Sequence, residues 1–345
     1  MNNLISKEPS IIKKNLFVTR RVPTEAYTIL SKYFNVDIYE EDRTISTETL
    51  LDRSKGCEAI MTLSLDVLNK ETILDPRFGQ IKMISNYGVG LDKLDLGTAT
   101  KQNILITNTP GVLTSATADL TFSLILALSK RVVESNKLMR KHSIYDQDQF
   151  DPKLNALGCQ SLEKKTLGLI GFGRIGFSVA KRAVSFGMDI RYHARNERKE
   201  QAKVVNATYC KTLDQLLINS DFVSIICPGT PQTKDMIGIN EFKLMKKTAC
   251  LINTARGSIV NEEELISALQ SDEIRAAAID VYKKEPFVPH ALRKLQNVIL
   301  TPHIGSATRQ ARNDMGILAA QNLIDFFIKR KCPKHAVNKE VFNKI

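Results

Sequence analysis

The sequence predicts an α/β protein: two parallel-sheet units, each with helices on both faces, joined by one long helix. Three observations carry this reading. The chain has 345 residues, enough for two cores of ordinary size. Short apolar runs alternate with helical segments twice over, once before and once after a long apolar-faced stretch. No repeat of fixed period and no low-complexity linker interrupts that order.

The first alternation begins with strand "NLFVT", a helix started by Pro23, strand "VDIYE", a helix near Thr49 and strand "AIMTL". It continues with a helix through Val67 and Ile73, strand "IKMISN", a short helix and strand "ILITN". From Thr114 to about Arg140 the pattern is helical, with Leu120, Leu124, Leu128 and Val132 on one face, and a helix of that length can span two domains. After a polar loop holding Pro152 the second alternation follows, with strands "TLGLIG", "DIRYHA", "FVSIIC", "ACLINT", "RAAAIDVY" and "VILTPH". A last amphipathic helix runs from about Ala307 to Lys329, its apolar positions Ile317, Leu318, Leu323, Ile324 and Phe327. The tail "KRKCPKHAVNKEVFNKI" reads as a solvated end. Two units of this kind imply a cleft, where small ligands usually bind.

An apolar share of 43% and a charged share of 25% are those of a soluble globular protein, and no apolar run is long enough to cross a bilayer. The segment "MNNLISKEPSIIKKN" lacks a secretory signal's apolar core, so a cytoplasmic location is expected. Six scattered cysteines without CxxC pairs read as reduced thiols, with no metal site. The net charge of +12 (49 basic minus 37 acidic) is spread along the chain without a nucleic-acid motif. Anionic small molecules suit such a diffuse field better than nucleic acid.

"GLIGFGRIG" places Gly171, Gly173 and Gly176 in G-x-G-x-x-G spacing, directly after an apolar strand and opening a helix. The first glycine permits the tight turn, the second lets a pyrophosphate approach the backbone, and the third lets helix pack on strand. A tight turn in an ordinary α/β protein is the plain alternative. The placement between strand and helix favours a dinucleotide site. An acidic residue for the adenosine ribose belongs about 20 residues on. At 194 − 176 = 18 stands Ala194, followed by Arg195, with Arg198 and Lys199 nearby. A guanidinium holds a 2′-phosphate where a carboxylate would repel it, so NADP(H) is expected over NAD(H), with NAD(H) still usable.

Three later segments, "NTARGSIVNEEEL", "AAIDVYKKEP" and "LTPHIGSAT", stand at strand ends of the second alternation. Together with "SNYGVGLDKLDL", "ITNTPGVLTSATAD", "KTLGLIGFGRIG" and "VSIICPGTPQT", in this order, they resemble the D-isomer-specific 2-hydroxyacid dehydrogenases over most of the chain. The resemblance implies Arg256, Glu285 and His303 as the catalytic set. His303 would give a proton to the alkoxide left by hydride transfer to a 2-oxo acid. Glu285 would orient that imidazole and favour its charged form. Arg256 would grip the substrate carboxylate and polarise the carbonyl. By the same carry-over the backbone of Val89 and Gly90 meets the carboxylate. Thr117, Arg174, Ile175, Pro228, Thr233, Thr254, Asp280 and Gly305 would touch the cofactor, with Asp280 on the nicotinamide carboxamide.

The resemblance also implies the architecture: residues 1–110, completed by 306–345, as a flavodoxin-like substrate-binding domain, and 111–305 as an inserted Rossmann NAD(P)-binding domain. A homodimer is expected on the same ground. The chain departs from the family in two places, the first of which bears on the substrate pocket. Many members carry a tryptophan shortly after the long helix, whereas this chain has "RKHSIYDQDQF" there and no Trp at all. Ser115 stands where an Asp or Glu is frequent. The basic residue after the second strand and the "GVG" turn are most similar to NADPH-using glyoxylate/hydroxypyruvate reductases, with 2-ketogluconate reductases close behind. "MTLSLDV" shows no arginine for a substrate phosphate. The alternative from another class is a dinucleotide-sensing, corepressor-like binding protein.

Overall fold

A computed structural model describes residues 13–41, 43–141 and 158–344. The polar loop with Pro152, and most of the segment where relatives carry a tryptophan, lie outside the described residues. The chain divides into two compact units, one formed by the chain up to Leu113 and from Thr308 onward, the other by Thr114–Ala307.

The first unit is built on β1 (Lys14–Val18), β2 (Phe34–Ile38), β3 (Ala59–Leu63), β4 (Met83–Tyr87) and β5 (Leu105–Thr107). They pair in parallel in the order β2-β1-β3-β4-β5, the flavodoxin-like winding. β3 and β4 are buried almost throughout, as strands covered on both faces must be. Phe17, Ile60, Ile84 and Ile106 alternate out of the sheet into a core with Leu50, Ile73 and Phe78.

The second unit carries β6 (Thr166–Ile170), β7 (Asp189–His193), β8 (Thr208–Tyr209), β9 (Phe222–Ile225), β10 (Cys250–Asn253), β11 (Ala276–Ile279) and β12 (Val298–Leu300). Their order, β12-β11-β10-β9-β6-β7-β8, reverses direction at β6. In such a sheet the crevice beyond the carboxyl ends, at that switch point, is where ligands bind.

Four expectations need correction. The single long helix is two, Thr114–Ser129 and Val132–Lys141. Arg131 adopts φ +50°, which no helix residue can hold, and the Ser129 carbonyl accepts from the Gln160 N–H, outside the helix. Val132, placed on the apolar face, is accordingly exposed. The last helix is Arg309–Phe327, capped by Thr308 Oγ1 accepting from the Ala311 N–H at 3.1 Å. Small residues make much of its buried face (Ala311, Gly316, Ala319 and Ala320, with Met315 and Leu323), while Ile317, Leu318 and Phe327 are only partly buried.

The tail is not a solvated end. Ala336, Asn338 and Val341 are buried, and Asn338 bonds the backbone of Ile104 and Ile106 beside β5. Finally, β8 has no counterpart in the predicted strands, because two residues carry no periodic signal. No helix among the described residues is long and apolar enough to cross a membrane.

Candidate active site

The sequence-predicted residues of the second unit stand beyond the carboxyl ends of its strands. After β6, Gly171 takes φ +102°, and a Cβ there would sit 2.9 Å from the Ile226 and Cys227 backbone. A Cβ on Gly176 would meet the Gly171 carbonyl oxygen at 2.5 Å, so the helix packs on the turn only without a side chain. Gly173 differs: nothing lies within 4 Å of its Cβ position, which leaves open the space a phosphate needs. The helix Arg174–Val184 then starts with no side-chain cap and no acid in its first turn, and carries Lys181 and Arg182 in its last. Its N–H groups at Arg174 and Ile175 therefore face an anion-favouring end, and this segment fits a pyrophosphate.

The loop after β7 is held by two tyrosines. The Tyr192 hydroxyl, on a ring stacked 4.1 Å from Phe172, accepts from the Arg198 N–H at 3.0 Å, and the Tyr209 hydroxyl donates to the Ala194 carbonyl at 3.2 Å. Arg195 and Arg198 are exposed, and among the described residues neither forms a salt bridge. His193 is turned away from this loop onto the Cys210 carbonyl at 3.0 Å.

Beyond β9, Thr233 Oγ1 closes the turn that begins at Pro228, donating to the Pro228 carbonyl at 2.9 Å and accepting from the Thr230 N–H at 2.8 Å. Beyond β10, Thr254 Oγ1 lies 2.8 Å from Thr121 Oγ1, whose own donation goes to the Thr117 carbonyl. Thr117 and Asp280 both border Gly305: a Cβ there would be 3.5 Å from Thr117 Cγ2 and 3.4 Å from Asp280 Oδ2. Thr117, Asp280 and Gly305 are thus brought together.

Asp280 does more than the sequence indicates. Its buried carboxylate accepts from Thr301 Oγ1 at 2.6 Å and from the Ile304 and Gly305 N–H groups at 2.9 and 3.0 Å, and its carbonyl accepts from the His303 N–H at 2.9 Å. Burial pushes this carboxyl up, against the pull of those donors and of His303. The contacts hold His303 at φ +53°, a conformation a non-glycine residue keeps only when its surroundings enforce it.

So held, His303 Nδ1 lies 2.7 Å from Glu285 Oε2, while Glu285 Oε1 accepts from the Tyr282 N–H at 3.0 Å. The Glu285 side chain is 16% exposed and the His303 side chain 30%, so the carboxylate is sheltered and the ring remains reachable. Burial alone raises the Glu285 carboxyl, but the hydrogen bond and charge of His303, the Tyr282 N–H and the nearby Arg256 outweigh it and hold it below the ordinary carboxylate value.

Arg256 is set by Asn253 and Gly257. The buried Asn253 side chain donates to the Arg256 carbonyl at 2.9 Å and accepts from the Ala255 N–H at 3.0 Å. A Cβ on Gly257 would fall 2.0 Å from the Tyr282 carbonyl carbon, so only glycine lets this loop lie against the segment leading to Glu285. In the first unit, Val89 and Gly90 follow β4 in a turn, with Val89 exposed. Sequence reasoning missed the residues that hold these groups: Asn253, Thr301, Thr121, Tyr192 and Tyr209. Thr301, Thr121 and Tyr209 bond residues 15 or more positions away, and Asn253 and Tyr192 bond backbone groups of the loops that follow them; neither kind of bond leaves a pattern in a single sequence.

Residues 122–305 match the family model described as "D-isomer specific 2-hydroxyacid dehydrogenase, NAD binding domain". The chain is 41% identical to a glyoxylate reductase of Thermococcus litoralis over 96% of its own length and 98% of the relative's. It is 42% identical to a glyoxylate reductase of Aeropyrum pernix over 95% and 97%. Among solved structures it resembles the TT0316 protein of Thermus thermophilus (TM-score 0.84, 36% identity, 94% and 99% of the two chains). It also resembles an NADPH-dependent glyoxylate/hydroxypyruvate reductase of Sinorhizobium meliloti in complex with NADP and malonate (TM-score 0.82, 28% identity, 95% and 97%). With an identity of this size sustained over nearly the whole chain, and two parallel sheets wound as in these structures, the chain belongs to the D-isomer-specific 2-hydroxyacid dehydrogenases, oxidoreductases that use a nicotinamide cofactor.

Proposed function

We propose that this enzyme reduces a small 2-oxo acid, glyoxylate or hydroxypyruvate first, to the D-2-hydroxy acid, with NADPH preferred over NADH. The observation that carries the reading is the sheltered Glu285 carboxylate 2.7 Å from Nδ1 of a reachable His303. When bound, the reduced cofactor supplies a hydride to the carbonyl carbon. His303 supplies the proton, from Nε2, to the oxygen that becomes an alkoxide. Glu285, ionised and fixed by the Tyr282 N–H, accepts from Nδ1, so the ring presents Nε2 outward and its cation is stabilised. Arg256 draws charge from the carbonyl and holds the carboxylate, a task suited to a planar, permanent cation. Val89 and Gly90 offer the carboxylate backbone N–H groups. The unit that ends at Leu113 and resumes at Thr308 is then the substrate side, and Thr114–Ala307 the cofactor side.

Support for NADPH comes from the loop after β7, where Ala194 offers no carboxylate and Arg195 is exposed. The structural relative from Sinorhizobium meliloti is described as NADPH-dependent. The test is the loss of NADPH absorbance on adding glyoxylate, run in parallel with NADH, in the wild type, His303→Ala and Arg195→Ala. The reading expects turnover that His303→Ala lowers by on the order of 100-fold or more. It also expects a larger kcat/KM for NADPH that Arg195→Ala reduces about tenfold or more while sparing NADH. Undiminished activity in His303→Ala overturns the mechanism. Equal losses with both coenzymes in Arg195→Ala overturn the role given to Arg195.

A further inference from the structure

The turn Gly88–Gly90 is shaped less by its own residues than by two asparagines. Nδ2 of Asn86, a residue only 3% exposed, lies 3.0 Å from the carbonyl oxygens of both Gly88 and Gly90 and 3.2 Å from Ser64 Oγ. Nδ2 of Asn108, beyond β5, donates to the Val89 carbonyl at 3.0 Å. The Thr109 N–H adds a second bond to the Gly88 carbonyl at 3.0 Å. Three successive carbonyls are thus held by amide donors. Among the described residues the N–H groups of Val89 and Gly90 have no acceptor.

Peptide planarity turns these bonds into an orientation. In a trans peptide the C=O of one residue and the N–H of the next point in opposite directions. Fixing the Gly88 carbonyl through Asn86 and Thr109 therefore fixes the Val89 N–H on the other side. Fixing the Val89 carbonyl through Asn108 does the same for the Gly90 N–H. Asn108 is itself anchored, its carbonyl accepting from Asn322 Nδ2 of the last helix at 3.2 Å. Two donors directed outward from adjacent peptides can bind one carboxylate, and held beforehand they need no reorganisation when it arrives.

We propose that Asn86 and Asn108 are positioning residues for substrate: they aim the Val89 and Gly90 N–H groups at the 2-oxo acid carboxylate. The proposal rests on the reading of Val89 and Gly90 as carboxylate anchors. Loosening either peptide lets its donor swing, and a misplacement of about 1 Å costs up to about 100-fold in reactions that depend on orientation.

The experiment follows the backbone amide resonances of Val89 and Gly90 while oxamate, a non-reducible 2-oxo acid mimic, is titrated into the NADPH-loaded enzyme. It is done for wild type, Asn108→Ala and Asn86→Ala, with KM and kcat for glyoxylate and the affinity for NADPH measured alongside. Wild type should show both amides shifting. Asn108→Ala should lose the Gly90 response first, Asn86→Ala the Val89 response, with KM for glyoxylate raised about tenfold or more. Affinity for NADPH should not change, since the proposed cofactor contacts lie in the other unit, and the amide resonances of β1, β2 and β3 should keep their wild-type positions, because a loss of structure in this unit would move them and a misaimed turn does not. Full oxamate responses and an unchanged KM in the variants overturn the proposal. If oxamate moves neither amide in the wild type, the carboxylate role of Val89 and Gly90 fails and the proposal with it. Asn86 is buried, so if Asn86→Ala does not fold, the partly exposed Asn108→Ala decides the matter alone.

Discussion

Glu285 and His303 show how one hydrogen-bonded pair is made from residues 18 positions apart. The strand end at Ile279 leads to Glu285, the strand end at Leu300 leads to His303, and β11 and β12 are neighbours. Glu285 has a folded pKa below its unfolded value, so its favourable contribution is fully present above the ordinary carboxylate range. It is lost as pH falls through the lowered value. Glu285→Gln keeps the shape and removes the charge that steadies the imidazolium. It should lower kcat/KM for reduction on the order of 10- to 100-fold, measured with glyoxylate and NADPH at a pH above the ordinary carboxylate range. Wild-type kcat/KM in Glu285→Gln would show that the carboxylate acts only as a spacer. The residue types and their order were legible in the sequence through the family resemblance. The hold of Asp280 on His303 was not, since nothing in "AAIDVY" says that its carboxylate collects three donors from "TPHIG".

At the scale of elements, strands were legible because buried parallel strands are continuous apolar runs: "AIMTL" matches β3 residue for residue, and "TLGLIG" overruns β6 only by Gly171. The helix break at Arg131 was not legible, since a non-glycine residue at positive φ gives no sequence warning. The glycine turn allows two of its positions to be separated by experiment. A methyl at Gly176 meets the Gly171 carbonyl at 2.5 Å, whereas one at Gly173 meets nothing within 4 Å. Gly176→Ala should therefore cost stability, about 1–3 kcal/mol by overpacking, together with cofactor affinity. Gly173→Ala should melt like the wild type yet raise KM for NADPH by about tenfold or more, because its methyl takes the space a pyrophosphate needs. Thermal melts and coenzyme titrations of the two variants check this. Loss of stability in Gly173→Ala, or wild-type coenzyme affinity, would remove the pyrophosphate from that turn.

For the whole molecule, the discontinuous unit is the one at greater risk, because it must recover the chain after Ala307 and close its sheet with the tail. The buried Asn338 side chain does this. It accepts from the Ile106 N–H at 2.8 Å and donates to the Ile104 carbonyl and Thr100 Oγ1, each at 2.9 Å. The Ala336–Thr107 bridge and the Val337 N–H on the Ile106 carbonyl extend the contact along the edge of β5. Asn338→Ala leaves a buried N–H and a buried C=O short of partners, at about 1–3 kcal/mol each. The melting temperature should fall by on the order of 5 °C or more. The proposed cofactor contacts all lie in Thr114–Ala307, which has its own cores, so NADPH affinity below the melt should stay at the wild-type value. Calorimetry with and without NADPH, together with a coenzyme titration, reads both quantities. A fall in NADPH affinity that tracks the fall in melting temperature would mean that the two units fold as one cooperative block, so that a bond at the tail of one unit sets the coenzyme affinity of the other.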